Sequence, residues 1–220
     1  MKGLLIKDLK LMTRQKSMLF MVLAIIVFFP ALEMDPGFIV TYAMILLLFM
    51  TVSTVSYDDF DNGMPFIFTL PVDRKTYVLE KYVLGLSAAV IGWLGAVLIN
   101  VAYIFILGEK AGGSISDMLI SAAMIFPVAL IMWEVLLPVQ LKFGAEKARV
   151  VLFIVAGVIA ALGVIVTKIA EGSSEKLNAL LEMVQKLDEW QIGITIFAVT
   201  IIGLLISYAC SVRIMEKKEY

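Results

Sequence analysis

Apolar residues run through the chain in six long blocks, and charges collect in the short stretches between them. The blocks fall at 17–32, 37–56, 82–107, 117–139, 150–167 and 190–212. A helix crossing a hydrocarbon layer of about 30 Å needs roughly 20 residues, each rising about 1.5 Å. The pattern therefore predicts an all-α, polytopic membrane protein with six transmembrane helices, forming a single transmembrane domain over residues 1–220. The first block is short and stops at Pro30, so flanking residues must complete it or it must tilt. The third is long and begins below the headgroups, with Asp73 placed to cap it ahead of Arg74, Lys75 and Thr76.

The stretches between blocks carry patterns of their own. In residues 1–16, Leu4, Leu5, Leu9, Leu11 and Met12 gather on one side of a helix, with Lys7, Lys10 and Arg14 on the other. Such a helix lies in the headgroup region and is drawn to anionic lipid. It serves either as a basic topology anchor or as an elbow that carries motion into the first span. Asp8 falls within its apolar arc and needs a partner. Residues 57–74 hold Phe60, Met64, Phe66, Ile67, Phe68 and Leu70 among charges and turn residues. A solvated loop has no use for three phenylalanines, and a contiguous apolar patch marks a contact surface. The alternative is that these side chains pack on their own helix ends or dip into the membrane interface. After the fifth block, Ser173 or Ser174 can cap a helix in which Leu177, Leu180, Leu181, Val184 and Leu187 recur at helical spacing, an external amphipathic helix.

Composition and charge sharpen this picture. The hydrophobic fraction is 61%, the mean hydropathy +0.98 and the charged fraction 17%, against about 45–50% apolar and about a quarter charged in soluble domains. Of the 18 lysines and arginines, only Lys110, Lys168, Lys176 and Lys186 fall on one side of the predicted membrane. The rest lie in the N-terminal stretch, the loops after the second and fourth blocks, and the C-terminal stretch. The positive-inside rule then places both termini in the cytoplasm, and the basic start shows no small-residue cleavage site.

The side-chain inventory excludes several chemistries. Histidine is absent, so a histidine-dependent metal site or triad cannot form, and no metal is expected. The lone Cys210 excludes an internal disulfide framework. No G-x-x-x-x-G-K-[ST] occurs, so the chain has no phosphate loop. It is expected to be no enzyme, to carry no cofactor and to bind no nucleic acid. Glu134, beside Trp133 in the fourth block, is the ionisable residue set well inside a span. It is a candidate for a substrate pathway or for a structural hydrogen bond at a helix or subunit interface. Asn100 is a weaker pathway candidate, with helix–helix bonding as its ordinary role. Small residues four apart, Ala88, Gly92 and Ala96, suit close helix packing.

Several motifs together resemble the membrane subunits of ABC-2 type exporters, in the small half-transporter branch. They are Leu-Ile-Lys-Asp-Leu at residues 5–9, Leu-Pro-Val-Asp-Arg-Lys-Thr-Tyr-Val-Leu-Glu-Lys-Tyr at 70–82, and Pro138 followed by Lys-Phe-Gly-Ala-Glu-Lys-Ala-Arg at 142–149. Asp73 stands where that family usually has serine. Within the family the chain is similar to permeases of bacterial peptide exporters such as the phenol-soluble-modulin system. The resemblance implies a multi-pass permease of the bacterial plasma membrane, exporting a peptide, drug or lipid-like amphipathic substrate. It implies a dimer with a second copy or paralogue, and a separate ATPase subunit that carries the ATP and magnesium. A cytoplasmic coupling helix in the second loop would seat in that ATPase. Phe60, Met64 and Phe66 would be its anchors, Asp58, Asp59 and Asp61 would orient it, and Lys142, Lys147 and Arg149 would form a second contact. Two other classes compete: a secondary transporter, which needs several buried ionisable residues or broken helices at the midplane, and a non-transport immunity or sensor protein.

Overall fold

The structure, a computed structural model, describes residues 1–32, 34–60, 63–107, 115–171 and 189–218, and only the backbone through most of 145–171 and at 189, 190 and 192. Among the described residues every regular element is a helix. Helix α1 (Lys2–Arg14) meets α2 (Lys16–Phe28) at a bend of 71°. A single 3-10 turn at Pro30–Leu32 follows. Next come α3 (Pro36–Asp59), the short α4 (Gly63–Thr69), α5 (Arg74–Leu107), α6 (Ile115–Glu171) and α7 (Glu189–Lys217).

Local chemistry sets several of these boundaries. Asp35 caps α3 by accepting from the Phe38 amide at 2.9 Å, and Pro36 fills the first helical position, where its missing N–H costs nothing. Between α1 and α2, Gln15 leaves helical geometry and donates through Nε2 to Ser53 Oγ on α3 at 2.9 Å. The bend is thus held by a hydrogen bond to the neighbouring helix. Residues 140–150, expected to be a loop between the fourth and fifth spans, are helical on both sides of Gly144. That glycine breaks the helix with φ 76 and ψ 176, a left-handed conformation that glycine adopts at no steric cost.

Among the described residues four helices are long and apolar enough to cross a membrane: Pro36–Asp59, Arg74–Ile106, Ile115–Gly144 and Gly193–Lys217. The bent α1–α2 pair makes a fifth if counted as one span. Helix α2 alone has 13 residues, about 20 Å at about 1.5 Å per residue, which is why it falls short by itself. The predicted fifth span lies in the backbone-only arm of α6. The external amphipathic helix, at 173–187, lies outside the described residues.

Helix α3 is the hub. It packs against α2, α5 and α6, while α7 packs on α6 and α5. Val40, Ala43, Met44 and Leu48 of α3 are buried almost completely. At the α5–α6 contact the Trp133 indole lies directly over Gly85, donates to Thr51 Oγ1 at 3.1 Å and meets the Tyr82 ring edge-on. Outward faces are apolar, as a hydrocarbon surround requires; on α7 they include Ile194, Phe197, Ile202 and Leu205.

The Gly85–Trp133 contact leaves no room for a side chain. A methyl group at Gly85 would overlap the indole, whereas one at Gly95, on the same helix, would meet nothing within 4 Å. Gly85→Ala should therefore lower the stability of the purified chain by about 1–3 kcal/mol through overpacking. Gly95→Ala should leave it unchanged or raise it by up to about 1 kcal/mol. Thermal unfolding in one detergent compares the two, and equal midpoints would contradict the packing described here.

Candidate functional site

The polar residues that close one end of the bundle come from three helices, α1, α3 and α5. Their centre is Lys81 on α5, buried to 1% exposure. An ammonium has three protons to place, and each finds an oxygen. One goes to Asp8 of α1, one to Asp58 Oδ2 of α3 at 2.7 Å, and one to Thr54 Oγ1 of α3 at 3.0 Å. Thr54 and Asp58 sit one turn apart on α3, as do Tyr77 and Lys81 on α5, so each helix presents a pair on one face. Tyr77 donates to Asp58 Oδ2 at 2.9 Å.

Asp8, which the sequence left in need of a partner, is fully buried against Lys81. Lys7 swings the other way to hydrogen-bond Asp58, and lies 3.0 Å from Asp8 Oδ1 as an ion pair without hydrogen-bond geometry. Burial works against the Lys7 ammonium, but the bond and charge of Asp58 outweigh it and hold its pKa above the ordinary lysine value. Glu80, also buried, stands 3.8 Å from Lys81 Nζ and makes no hydrogen bond. The cluster joins α1 to the last turn of α3 and the start of α5, on either side of α4.

A second polar knot lies beside the first. Tyr82 bonds Ser207 Oγ at 2.6 Å and Ser211 Oγ at 2.9 Å, tying α5 to α7. Ser207 also donates to the backbone carbonyl of Glu134 on α6. The Glu134 side chain is buried against Gly203 of α7, and its Oε1 has no hydrogen-bond partner. Asn100 is buried too, and its amide nitrogen bonds the Ala96 carbonyl of its own helix at 2.8 Å. An apolar groove of about 710 Å³ opens among α5, α6 and α7, with Trp93, Leu94, Ile120, Phe126, Phe197 and Ile201 in its walls. Neither Glu134 nor Asn100 lines it.

The residues read as ATPase-coupling anchors separate into two groups. Phe60, at the C-cap of α3, and Phe66, on α4, are 71% and 67% exposed. Met64 is buried in the hydrophobic core and Asp58 in the ion cluster, so both face into this chain. Asp59 is exposed, with its carboxylate 3.4 Å from where a Gly144 side chain would begin. Lys142 is exposed and lies 4.9 Å from the Phe143 ring centre. Asp61 lies outside the described residues, as do the side chains of Lys147 and Arg149. Sequence reasoning counted Lys81 only as a topology charge. Its signal was the pairing of Thr54 with Asp58 and of Tyr77 with Lys81 at one-turn spacing beside an unpaired Asp8.

The family model described as ABC-2 family transporter protein matches residues 3–216. No curated protein and no solved structure matches the chain.

The buried cluster predicts an asymmetry between breaking it and replacing it. Lys81→Met leaves Asp8 and Asp58 buried without their shared cation, and should cost about 3–5 kcal/mol. Removing Asp8 as well, in the Asp8→Leu, Lys81→Met double variant, should recover much of that loss. Lys75 and Glu216, paired at 3.5 Å on the surface, should contribute about 1 kcal/mol or less. Denaturation of each single and double variant in detergent reads the coupling; additive losses at Asp8 and Lys81 would contradict a shared buried pair.

Proposed function

The chain belongs to the ABC-2 transporter family, and on that premise we propose that it is the transmembrane permease subunit of an ATP-driven exporter. A separate ATPase subunit carries ATP and magnesium and performs the hydrolysis; this chain supplies no catalytic residue. The permease works as a dimer, with a second copy or a paralogue, in the bacterial plasma membrane. It has six spans, the fifth within the second arm of α6, and both termini in the cytoplasm. Helix α1 is the elbow on the inner membrane surface and α4 is the coupling helix; the external amphipathic helix read from the sequence at 173–187, outside the described residues, would lid or line the exit. The cargo is a peptide, drug or lipid-like amphipathic molecule, with peptides of the phenol-soluble-modulin type as the narrower reading.

One observation carries the coupling assignment. In the segment around α4, Met64 and Ile67 turn into the core while Phe60 and Phe66 remain on the surface. One exposed aromatic on a short helix fixed from behind, Phe66, and a second at the end of the helix before it, Phe60, are what a seat in a partner's groove requires, since desolvated aromatic anchors carry most of the binding energy at interfaces. Lys142 and Asp59, exposed near the Gly144 break, supply a charged rim beside them. The position of the buried charges also favours this reading over a secondary transporter. The ion cluster lies at the α4 end of the bundle, whereas ion-coupled carriers place theirs at the midplane.

Phe60→Ala with Phe66→Ala should leave insertion and permease dimerisation intact, while the ATPase no longer co-purifies or hydrolyses ATP without moving cargo. Loss of one buried anchor costs about 2 kcal/mol, roughly thirty-fold in occupancy. Met64→Ala should behave differently and lower the stability of the chain itself. If the aromatic double variant instead loses the protein from the membrane and the surviving fraction still retains its ATPase, the assignment fails.

Orientation has its own test. Cysteines introduced at Lys110 and Ser173, in a Cys210→Ser background, should label from outside intact cells. Cysteines at Lys75 and Lys147 should label only after the membrane is opened. Outside labelling at position 75 would invert the topology.

A further inference from the structure

The helix α4 is joined to the last helix of the bundle through one aromatic ring and one guanidinium. Phe68, the sixth residue of α4, presents its ring to the Arg74 guanidinium, 5.7 Å from the ring centre, and meets the Tyr77 ring edge-on at 5.8 Å. Arg74 Nη1 then donates to the Met215 carbonyl at 2.7 Å and the Glu216 carbonyl at 2.9 Å. Those two carbonyls belong to the last turn of α7, which ends at Lys217. The last four carbonyls of a helix have no partner within it and carry its negative dipole end. A cation there satisfies them as acceptors and as charge. Lys218 Nζ, 3.3 Å from the Leu141 carbonyl of α6, fastens the same end of α7 to its other neighbour.

We infer that Phe68 and Arg74 are positioning residues that carry displacement of α4 to α7, a route separate from the one through Asp58 to α1. The inference rests on the reading of α4 as the ATPase seat. Its geometry does not depend on that reading. A shift of Phe68 acts on Arg74 and Tyr77 together, because one ring touches both. Arg74 in turn cannot follow Phe68 without moving the two carbonyls that it holds. The Tyr77 hydroxyl sits on Asp58, so the two routes share their start at Phe68 and part there, one through Arg74 to α7 and the other through Tyr77 to Asp58. The exposed Phe66 belongs to the partner's side of α4, and the inward-facing Phe68 to the bundle's side.

Two experiments on the full chain, reconstituted in lipid nanodiscs with Cys210→Ser, test the link. In the permease alone, Arg74→Ala should raise amide exchange in residues 213–217 about tenfold, the usual effect of losing a charged hydrogen bond. Arg74→Lys should restore part of the protection, since a lysine offers charge without the planar fork. Unchanged exchange in Arg74→Ala overturns the clamp, whatever the ATPase does. With the ATPase bound, spin labels at Lys10 and Lys217 should change separation when a non-hydrolysable ATP analogue is added. Phe68→Leu and Arg74→Lys should remove at least half of that change while the ATPase still co-purifies, and a pair at Lys10 and Tyr57 should keep its own response. A full response at Lys217 in both variants overturns the transmission role. Failure of the ATPase to bind the unaltered chain removes the driving partner and with it the transmission role, while the exchange experiment still decides the clamp.

Discussion

A lysine ammonium buried among helices is the constraint from which this end of the molecule follows. Taking Lys81 out of water costs several kcal/mol even after relaxation, so the fold must bring it acceptors in the right number and directions. The chain meets that demand from three separate helices: Asp8 from α1, Thr54 and Asp58 from α3, with Lys81 itself on α5. Helix α1 cannot roll or slide without leaving Lys81 short of a partner, and the last turn of α3 is held in the same way. The ends of α3 and α5 that flank α4 are therefore fixed relative to each other before any packing of α4 is considered.

Such a network adds little net stability, because desolvation offsets most of the attraction between its charges. What it supplies is geometric definition. Apolar contacts alone would let α1 settle at several rotations, since Leu5, Ile6, Leu9 and Leu11 offer nearly equivalent surfaces to lipid or protein. With Asp8 in the arc, only the rotation that buries Leu4, Asp8 and Met12 satisfies the ions. The layer next to the ion cluster is organised on different terms. There the contacts are small residue against ring, as at Gly85 and Trp133, and the Tyr82 hydroxyl bridges to two serines of α7. Helices surrounded by hydrocarbon gain nothing from burying apolar surface against one another, so close fit and hydrogen bonds must hold them.

Much of the architecture was legible in the sequence because membrane thickness imposes a length that charge and apolar runs reveal directly. Blocks at 37–56, 82–107, 117–139 and 190–212 correspond to α3, α5, the first arm of α6 and α7. Hydropathy alone does not show helix beyond the apolar block, but the Asp73 cap signal placed the start of α5 at Arg74, where it lies. Residues 74–81 are helical although charged, and it is there that Arg74, Tyr77 and Lys81 do their work. Nor could it show the break at Gly144, where one backbone angle replaces an expected loop. Asp8 was readable as an anomaly but not as a contact, because its partner lies 73 residues away. The exposed pair Phe60 and Phe66 was legible as an apolar patch. That Met64 and Phe68 turn inward depends on which face α4 presents, and seven residues give too short a period to fix that from sequence.

The position of α4 between two differently built attachments has a mechanical consequence. On one side lies an ion cluster, short-ranged and directional, that resists rotation of α1. On the other lies an aromatic and guanidinium contact that tolerates sliding, since a ring face attracts a cation over a range of offsets. A force applied at α4 would meet a stiff connection toward α1 and α3 and a more compliant one toward α7. Rigid-body motion of α1, α2 and α3 as a unit, with α7 following through Arg74, is the response that these two stiffnesses favour. The apolar groove among α5, α6 and α7 lies on the compliant side, where a small displacement of α7 changes its width most. Tyr82, the residue next to Lys81, bonds both Ser207 and Ser211, so it ties α7 directly to the helix that carries the ion cluster and limits how far α7 can follow.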